Sequence, residues 1–378
     1  MRIRPLVRRW LFVPLPALLA VLMYVLLPHF PYFTEWVVVR GLFRIVSVPV
    51  TAVVSLFPFS LTELAVVLGP VALLVLLAVW GIRILRHKER RKIIAEKGCR
   101  FVAWCLSLML LVYMVMHGGN FSRLHLTELM ELPQRPYTAQ ELYAVTVDLA
   151  QKCSAAREQV AEDESGCMVL SASLSDTLLE ANDAYANLRK DYPFLITGVW
   201  RAKAVVLSHQ WSYTGVTGFY CPWLGETNVN VDQPDCDIGH TAAHELAHSM
   251  GFGREDECNF LGYLSCVTSG QPDFVYSGYL AAFLYCNNAL YGADQELWAQ
   301  AYAHLSEGVR RDLRQKSTYW DSFKGEVMDF SQDFNDAFIK VNGEESGRIS
   351  YSEAVGLVLQ YYDKTGAMAT LVTQLPAE

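Results

Sequence analysis

The chain has 378 residues, 52% of them hydrophobic, with 39 acidic against 31 basic side chains and a formal net charge of −8. That apolar share is high for a soluble protein, and the excess is concentrated at the N-terminus. The densest basic stretch lies beside an apolar run, where topogenic charge is the commoner cause, so a nucleic-acid-binding function is set aside.

Leu11 to Leu27 is the first apolar run, preceded by Arg2, Arg4, Arg8 and Arg9. No small-residue cleavage site follows it, since the chain continues Pro28-His29-Phe30-Pro31, so an uncleaved anchor is expected rather than a signal peptide. Phe33 to Phe59 is apolar but interrupted by Glu35, Arg40, Arg44, Pro49 and Pro58, which suits an interfacial or re-entrant helix on the outer face. Leu64 to Leu85 and Phe101 to Met116 are the second and third runs of spanning character. Between them Arg83, Arg86, Lys88, Arg90, Arg91, Lys92, Lys97 and Arg100 stand against two glutamates. The positive-inside rule places this loop (86–100) and the N-terminus in the cytoplasm. Spans at about 11–27, 64–85 and 101–116 then put residues 118–378 outside it.

Residues 118–378 are enough for one sizeable core. Thr138 to about Lys190 reads as helices with a break around Asp163 to Gly166, Lys203 to Val231 as β-rich, and Ile238 onward as mostly helical. Thr227 to Val231 alternates like a strand with one polar face, and it is a candidate to line a cleft and hold a substrate backbone by strand addition. Seven of the nine cysteines lie in this region, and an extracellular location permits disulfides, with Cys153–Cys167 and Cys221–Cys236 as the candidate pairs. No CxxC pair and no nucleophile motif surrounds any of them.

The most informative segment is His240 to Leu264, HTAAHELAHSMGFGREDECNFLGYL. His244-Glu245-Leu246-Ala247-His248 is the H-E-x-x-H pattern of zinc peptidases. Histidines four apart share one helix face, so both imidazoles can reach one ion, and Glu245 can act as general base on a zinc-activated water. Asp237 is a candidate N-cap, Ile238 to Met250 reads as helix, and Gly251 and Gly253 can end it before a second helix from about Arg254. Zinc needs a third protein ligand. Arg254 occupies the position at which metzincins carry histidine, so that pattern fails. Glu255 and Asn259 form E-x-x-x-N, which resembles the E-x-x-x-D of gluzincins. Asn259 would then accept an imidazole N–H behind a ligand, without the charge of an aspartate. Glu257 is the rival third ligand and His240 a further competitor. Tyr276, Tyr351 and His240 are candidates for stabilising an oxyanion, a role the sequence does not settle.

Taken with its three spans, the segment Thr34-Glu35-Trp36 through Pro58-Phe59-Ser60, Gly119-Asn120, HELAH followed by EDECNF, Tyr276-Ser277-Gly278-Tyr279, and Asn342-Gly343 through Ser350-Tyr351, the chain resembles a family of uncharacterised bacterial multi-pass membrane proteins carrying a gluzincin-like H-E-x-x-H. Cys258 departs from that pattern, where alanine is usual. The resemblance implies a bacterial cell-membrane protein. The expected architecture is α+β and mainly helical, with three N-terminal transmembrane helices followed by a zincin-like extracytoplasmic domain. The expected function is a zinc metallopeptidase with His244, His248 and Glu255 on Zn2+ and Glu245 as base. Its substrate would be a peptide or protein, membrane-proximal by location, and its other partner the lipid bilayer. The alternatives are a zinc-binding membrane sensor or scaffold without turnover, and a non-catalytic helical domain in which the motif arises by chance.

Overall fold

The computed structural model describes residues 9–196, 198, 200–342 and 350–374, and the side chains of 350–353 are not described. The chain is mainly helical and forms two compact units, Met1–Arg123 with Cys221–Glu226, and Leu124–Tyr220 with Thr227–Glu378.

In the first unit the helices are α1 (Leu15–Leu26), α2 (Pro31–Val54), α3 (Leu61–Arg86) and α4 (Arg91–Met116). Among the described residues three helices are long and apolar enough to cross a membrane: Pro31–Val54, Leu61–Arg86 and Lys88–Met116. The first expected span corresponds to a shorter apolar helix, Leu15–His29, while the segment expected at the interface is itself of spanning length. The Ser60 hydroxyl caps α3 by accepting the Glu63 N–H at 2.8 Å.

Side-chain contacts fix the helix directions. Trp80 Nε1 donates to the Ile94 carbonyl at 3.3 Å, so α3 and α4 run antiparallel through the basic turn between them. The Ala17 N–H donates to Ser107 Oγ at 2.9 Å, and further along Leu27 Cδ1 lies 3.3 Å from where a Cβ on Gly119 would sit. Helix α1 therefore runs parallel to α4. Helix α2 does neither. Near its start, Glu35 takes a bidentate ion pair from Arg123 (2.8 and 2.9 Å) and a third bond from Arg40 at 2.7 Å. Near its end, Thr51 and Met116 both meet Gly225. Glu35 and Thr51 are about 24 Å apart along a helix axis, yet both touch the chain around 116–123 or its neighbours, so α2 crosses the end of α4 instead of running beside it.

The second unit opens with α5 (Ala139–Arg157), started by a reciprocal capping box between Thr138 and Glu141. A short antiparallel hairpin, β1 (Ala161–Glu162) and β2 (Met168–Val169), occupies the expected break, and α6 (Leu174–Asp191) follows. Three strands, β3 (Ala202–Ala204), β4 (Gly218–Cys221) and β5 (Glu226–Val229), form a sheet in the order β3-β5-β4, with β3 parallel to β5. Helices α7 (Asp235–Ser249), α8 (Glu255–Thr268) and α9 (Pro272–Ala293) pack on one another, and α10 (Glu307–Asp321) closes against α5. The fully buried Asp312 ties these layers together, accepting from Arg157 Nε at 2.6 Å, the Tyr276 hydroxyl at 2.6 Å and the Met168 N–H at 2.9 Å.

The cysteines depart from expectation, because all nine are free thiols. Cys153 and Cys236 sit among helices as small buried apolar residues, and burial pushes both thiols up. Alkylation of the folded protein should therefore spare the seven cysteines from Cys153 to Cys286. Unfolding without reductant should release nine reactive thiols; a count of five or seven by mass spectrometry would restore the disulfide expectation.

Candidate active site

Helix α7 begins earlier than its sequence suggests. Pro234 is the residue before it, so Asp237 lies inside the first turn, where it pairs with Lys316 Nζ at 2.7 Å instead of capping. Asp235 accepts the Leu170 N–H at 2.9 Å, so both acidic side chains still sit at the positive end of the helix dipole. The far end stops at Gly251, whose φ of 88° is the left-handed conformation that glycine adopts without a Cβ penalty. Helix α8 then starts after Arg254 and folds back along α7. Gly262 lets the two approach closely: a Cβ there would lie 3.1 Å from His240 Nε2 and 3.3 Å from the His244 nitrogen.

This packing brings three predicted residues together. Glu255 Oε2 lies 3.2 Å from His244 Nε2 and Oε1 lies 3.6 Å from His248 Nε2. One ligand atom from each of His244, His248 and Glu255 falls within 4.8 Å of the others. Glu257 faces elsewhere: its Oε1 accepts the Leu126 N–H at 2.8 Å and Arg254 Nη1 at 2.9 Å. His240 is also outside the cluster, with its Nε2 3.1 Å from the Asn259 carbonyl; burial, with His244 beside it, pushes it down to about 3. Tyr276 is committed to Asp312, and the Tyr351 side chain is outside the described residues.

The backing of the two histidines differs. His248 Nδ1 is 2.9 Å from the Phe252 carbonyl, an acceptor, so the proton sits on Nδ1 and the Nε2 lone pair faces Glu255. Burial lowers His248 against the opposing charge of Glu255. For His244, burial alone would act downward, but the Glu255 hydrogen bond and charge, then Glu245 and Asn259, hold it above its ordinary value. Asn259 Oδ1 is anchored by the Tyr285 hydroxyl at 3.0 Å. Cys258 lies on this side as well, its Sγ 3.3 Å from His248 Nδ1.

Glu245 is buried against strand β4. A Cβ on Gly218 would come within 2.6 Å of Glu245 Cγ and Oε1, and the Tyr220 N–H donates to the carboxylate. Burial, with the Glu255 charge, pushes Glu245 up to about 8 against the pull of His244 and that N–H. The Thr217 carbonyl accepts the Asn230 N–H at 2.9 Å, so strand alternation turns the backbone groups of Gly218 and Tyr220 to the other edge, towards Glu245. The Tyr220 ring stacks on His248 at 6.2 Å.

The strand expected to line the cleft, Thr227 to Val231, is instead represented by central β5, whose ladder is flanked by β3 and β4. The edge strand beside the site is β4. All four residues of β5 are buried, so its polar side chains face the interior and not a cleft, whereas the signal for β4 is the glycine that allows Glu245 to approach. Tyr285 has no local signal; only the packing of α9 on α8 reveals it.

A family model described as "Protein of unknown function (DUF3810)" matches residues 39–359. No curated protein and no solved structure matches the chain.

The two glutamates of α8 should separate in stability. Glu257→Ala removes a buried acceptor shared by Leu126 and Arg254, and should cost about 3 kcal/mol. Glu255→Gln keeps an acceptor for His244 and should cost less than about 1 kcal/mol. Urea unfolding in chelator checks both; equal losses would refute the division of roles.

Proposed function

The chain belongs to this family of unknown function, and from the geometry of its second unit we propose that it is a membrane-anchored zinc metallopeptidase. The observation that carries the proposal is the convergence of His244, His248 and Glu255 on one point, with Glu245 held beside them against an edge strand. The donor set suits zinc: two imidazoles and a carboxylate leave a fourth position open, and the Phe252 carbonyl presets the His248 tautomer that a ligand needs.

Zinc, when bound, supplies a Lewis acid that polarises a peptide carbonyl and acidifies water. Glu245 takes the proton from the attacking water on its carboxylate and passes it to the leaving amine. The outward-turned backbone groups of Gly218 are suited to pair with an extended polypeptide. Asn259, anchored by Tyr285, stands beside His244, whose Nδ1 is buried without a partner and would take that amide as support once the metal is held.

The orientation belongs to the same proposal. The basic turn between α3 and α4 is cytoplasmic, so antiparallel α3 and α4 deliver the second unit outside. Parallel α1 and α4 put the start of α1 on the side of that turn, and α2, crossing the end of α4, lies at the opposite surface. The second unit begins a few residues after α4, which favours membrane-proximal peptide or protein substrates.

Purified protein should bind one zinc, losing it in His244→Ala, His248→Ala and Glu255→Ala but not in Glu257→Ala. Glu245→Gln should retain zinc and lose at least about 100-fold in peptide cleavage. Retained cleavage in Glu245→Gln would sink the mechanism. Zinc binding with no cleavage by any form would favour the sensor or scaffold, and no zinc binding the chance motif.

Orientation has its own test. In spheroplasts carrying a variant without Cys99, a membrane-impermeant thiol reagent should label Glu158→Cys directly and Glu89→Cys only after lysis. The reverse pattern would place the domain in the cytoplasm.

A further inference from the structure

The turn between β4 and β5, Cys221-Pro222-Trp223-Leu224-Gly225-Glu226, is separated by just over a hundred residues from the last apolar helix, yet it belongs to the helical unit. Its attachments are specific. Glu226 accepts the Leu61 N–H at 3.1 Å, the Thr62 N–H at 2.6 Å and the Thr62 hydroxyl at 2.5 Å, serving the free N–H groups at the start of α3. Gly225, with φ of 60°, sits where a Cβ would strike Thr51 and crowd Met116. Trp223 Nε1 donates to the Met109 carbonyl at 3.1 Å, and its ring lies 6.2 Å from that of Tyr113.

Met109 is seven residues before the end of α4, about 10 Å along the helix axis. Trp223 therefore lies beside the last two turns of a helix apolar enough to span a membrane, with 44% of its surface exposed. Phe30, Tyr32, Phe33, Trp36, Phe57 and Phe59 are exposed on the segments around α2 and the start of α3. Tryptophan and tyrosine concentrate where a bilayer meets water, and an indole N–H within a bilayer needs an acceptor. The Met109 carbonyl provides one.

We propose that the β4–β5 turn is a membrane anchor, with Trp223 inserted at the interfacial level of the same leaflet that holds α2. Its partner is the phospholipid bilayer itself. The membrane-embedded part of the protein is then discontinuous in sequence: α1, α3 and α4, the surface helix α2 and this turn. The proposal rests on the helices of the first unit lying in a bilayer, and the experiment separates the two.

The test uses full-length protein in phosphatidylcholine nanodiscs, with bromines placed either near the headgroup end or near the tail end of the acyl chains. The tryptophan emission of Trp223→Phe, Trp104→Phe and Trp298→Phe is subtracted from that of the unaltered protein. Trp104, in the middle of α4, reports the helices, and Trp298 reports the second unit. The Trp223 component should lose most of its intensity with headgroup-proximal bromines and less with tail-proximal ones, while the Trp298 component is unaffected by either. Loss from Trp104 with none from Trp223 would overturn the proposal. No loss from Trp104 would overturn the bilayer placement on which it rests. Phenylalanine keeps the apolar ring, so the folded protein remains available for the comparison.

Discussion

The site depends on one backbone reversal, the break at Gly251 through Arg254. With α7 ending at Ser249, directly after His248, a positive φ at Gly251 sends the chain back along the same helix. Two consequences follow from that turn. The Phe252 carbonyl is left pointing at His248 Nδ1, which fixes which imidazole nitrogen carries the proton. Glu255, the first residue of α8, then meets both Nε2 atoms. A longer or differently wound connection would rotate α8, and the acidic turn Glu255-Asp256-Glu257 would present another carboxylate.

Glu245, Glu255 and Glu257 lie within thirteen residues of one another but do different work because their surroundings differ. Glu257 is buried between an arginine and a backbone N–H, so it holds the end of α8. Glu255 is closer to solvent and faces two imidazoles. Glu245 has one backbone donor and is raised by burial and by Glu255. Burial and nearby charge thus sort three chemically similar groups into a support, a candidate ligand and a candidate base.

Much of this was legible because it is local. H-E-x-x-H periodicity, the glycine break and the spacing to Glu255 each express a helix repeat or a turn preference, and His244, His248 and Glu255 do converge. What sequence could not supply was non-local. The alternation of Thr227 to Val231 marks a strand but cannot say whether it is central, and the edge strand beside the site is β4. Cysteine number suggested disulfides, whereas the thiols are dispersed through helix packing. Asp237 looked like a cap until Lys316, 79 residues away, claimed its carboxylate. The apolar stretch of α2 was visible, but its direction follows from contacts at both its ends.

The same electrostatics account for the uncharged residue behind His244. In a site with a single carboxylate, an aspartate at this position would strengthen the imidazole as a ligand. Here Glu245, Glu255 and Glu257 are already gathered around one short helix pair, and a fourth buried carboxylate would add like charge where Glu245 is already pushed up to about 8. An amide avoids that repulsion while keeping an acceptor, and the Tyr285 hydroxyl fixes it in place with a neutral hydrogen bond. Its backbone carbonyl meanwhile takes His240, a histidine that burial keeps neutral. Asn259 thus holds His240 through its backbone and stands beside His244 without adding charge, which is the property this crowded acidic site requires of that position.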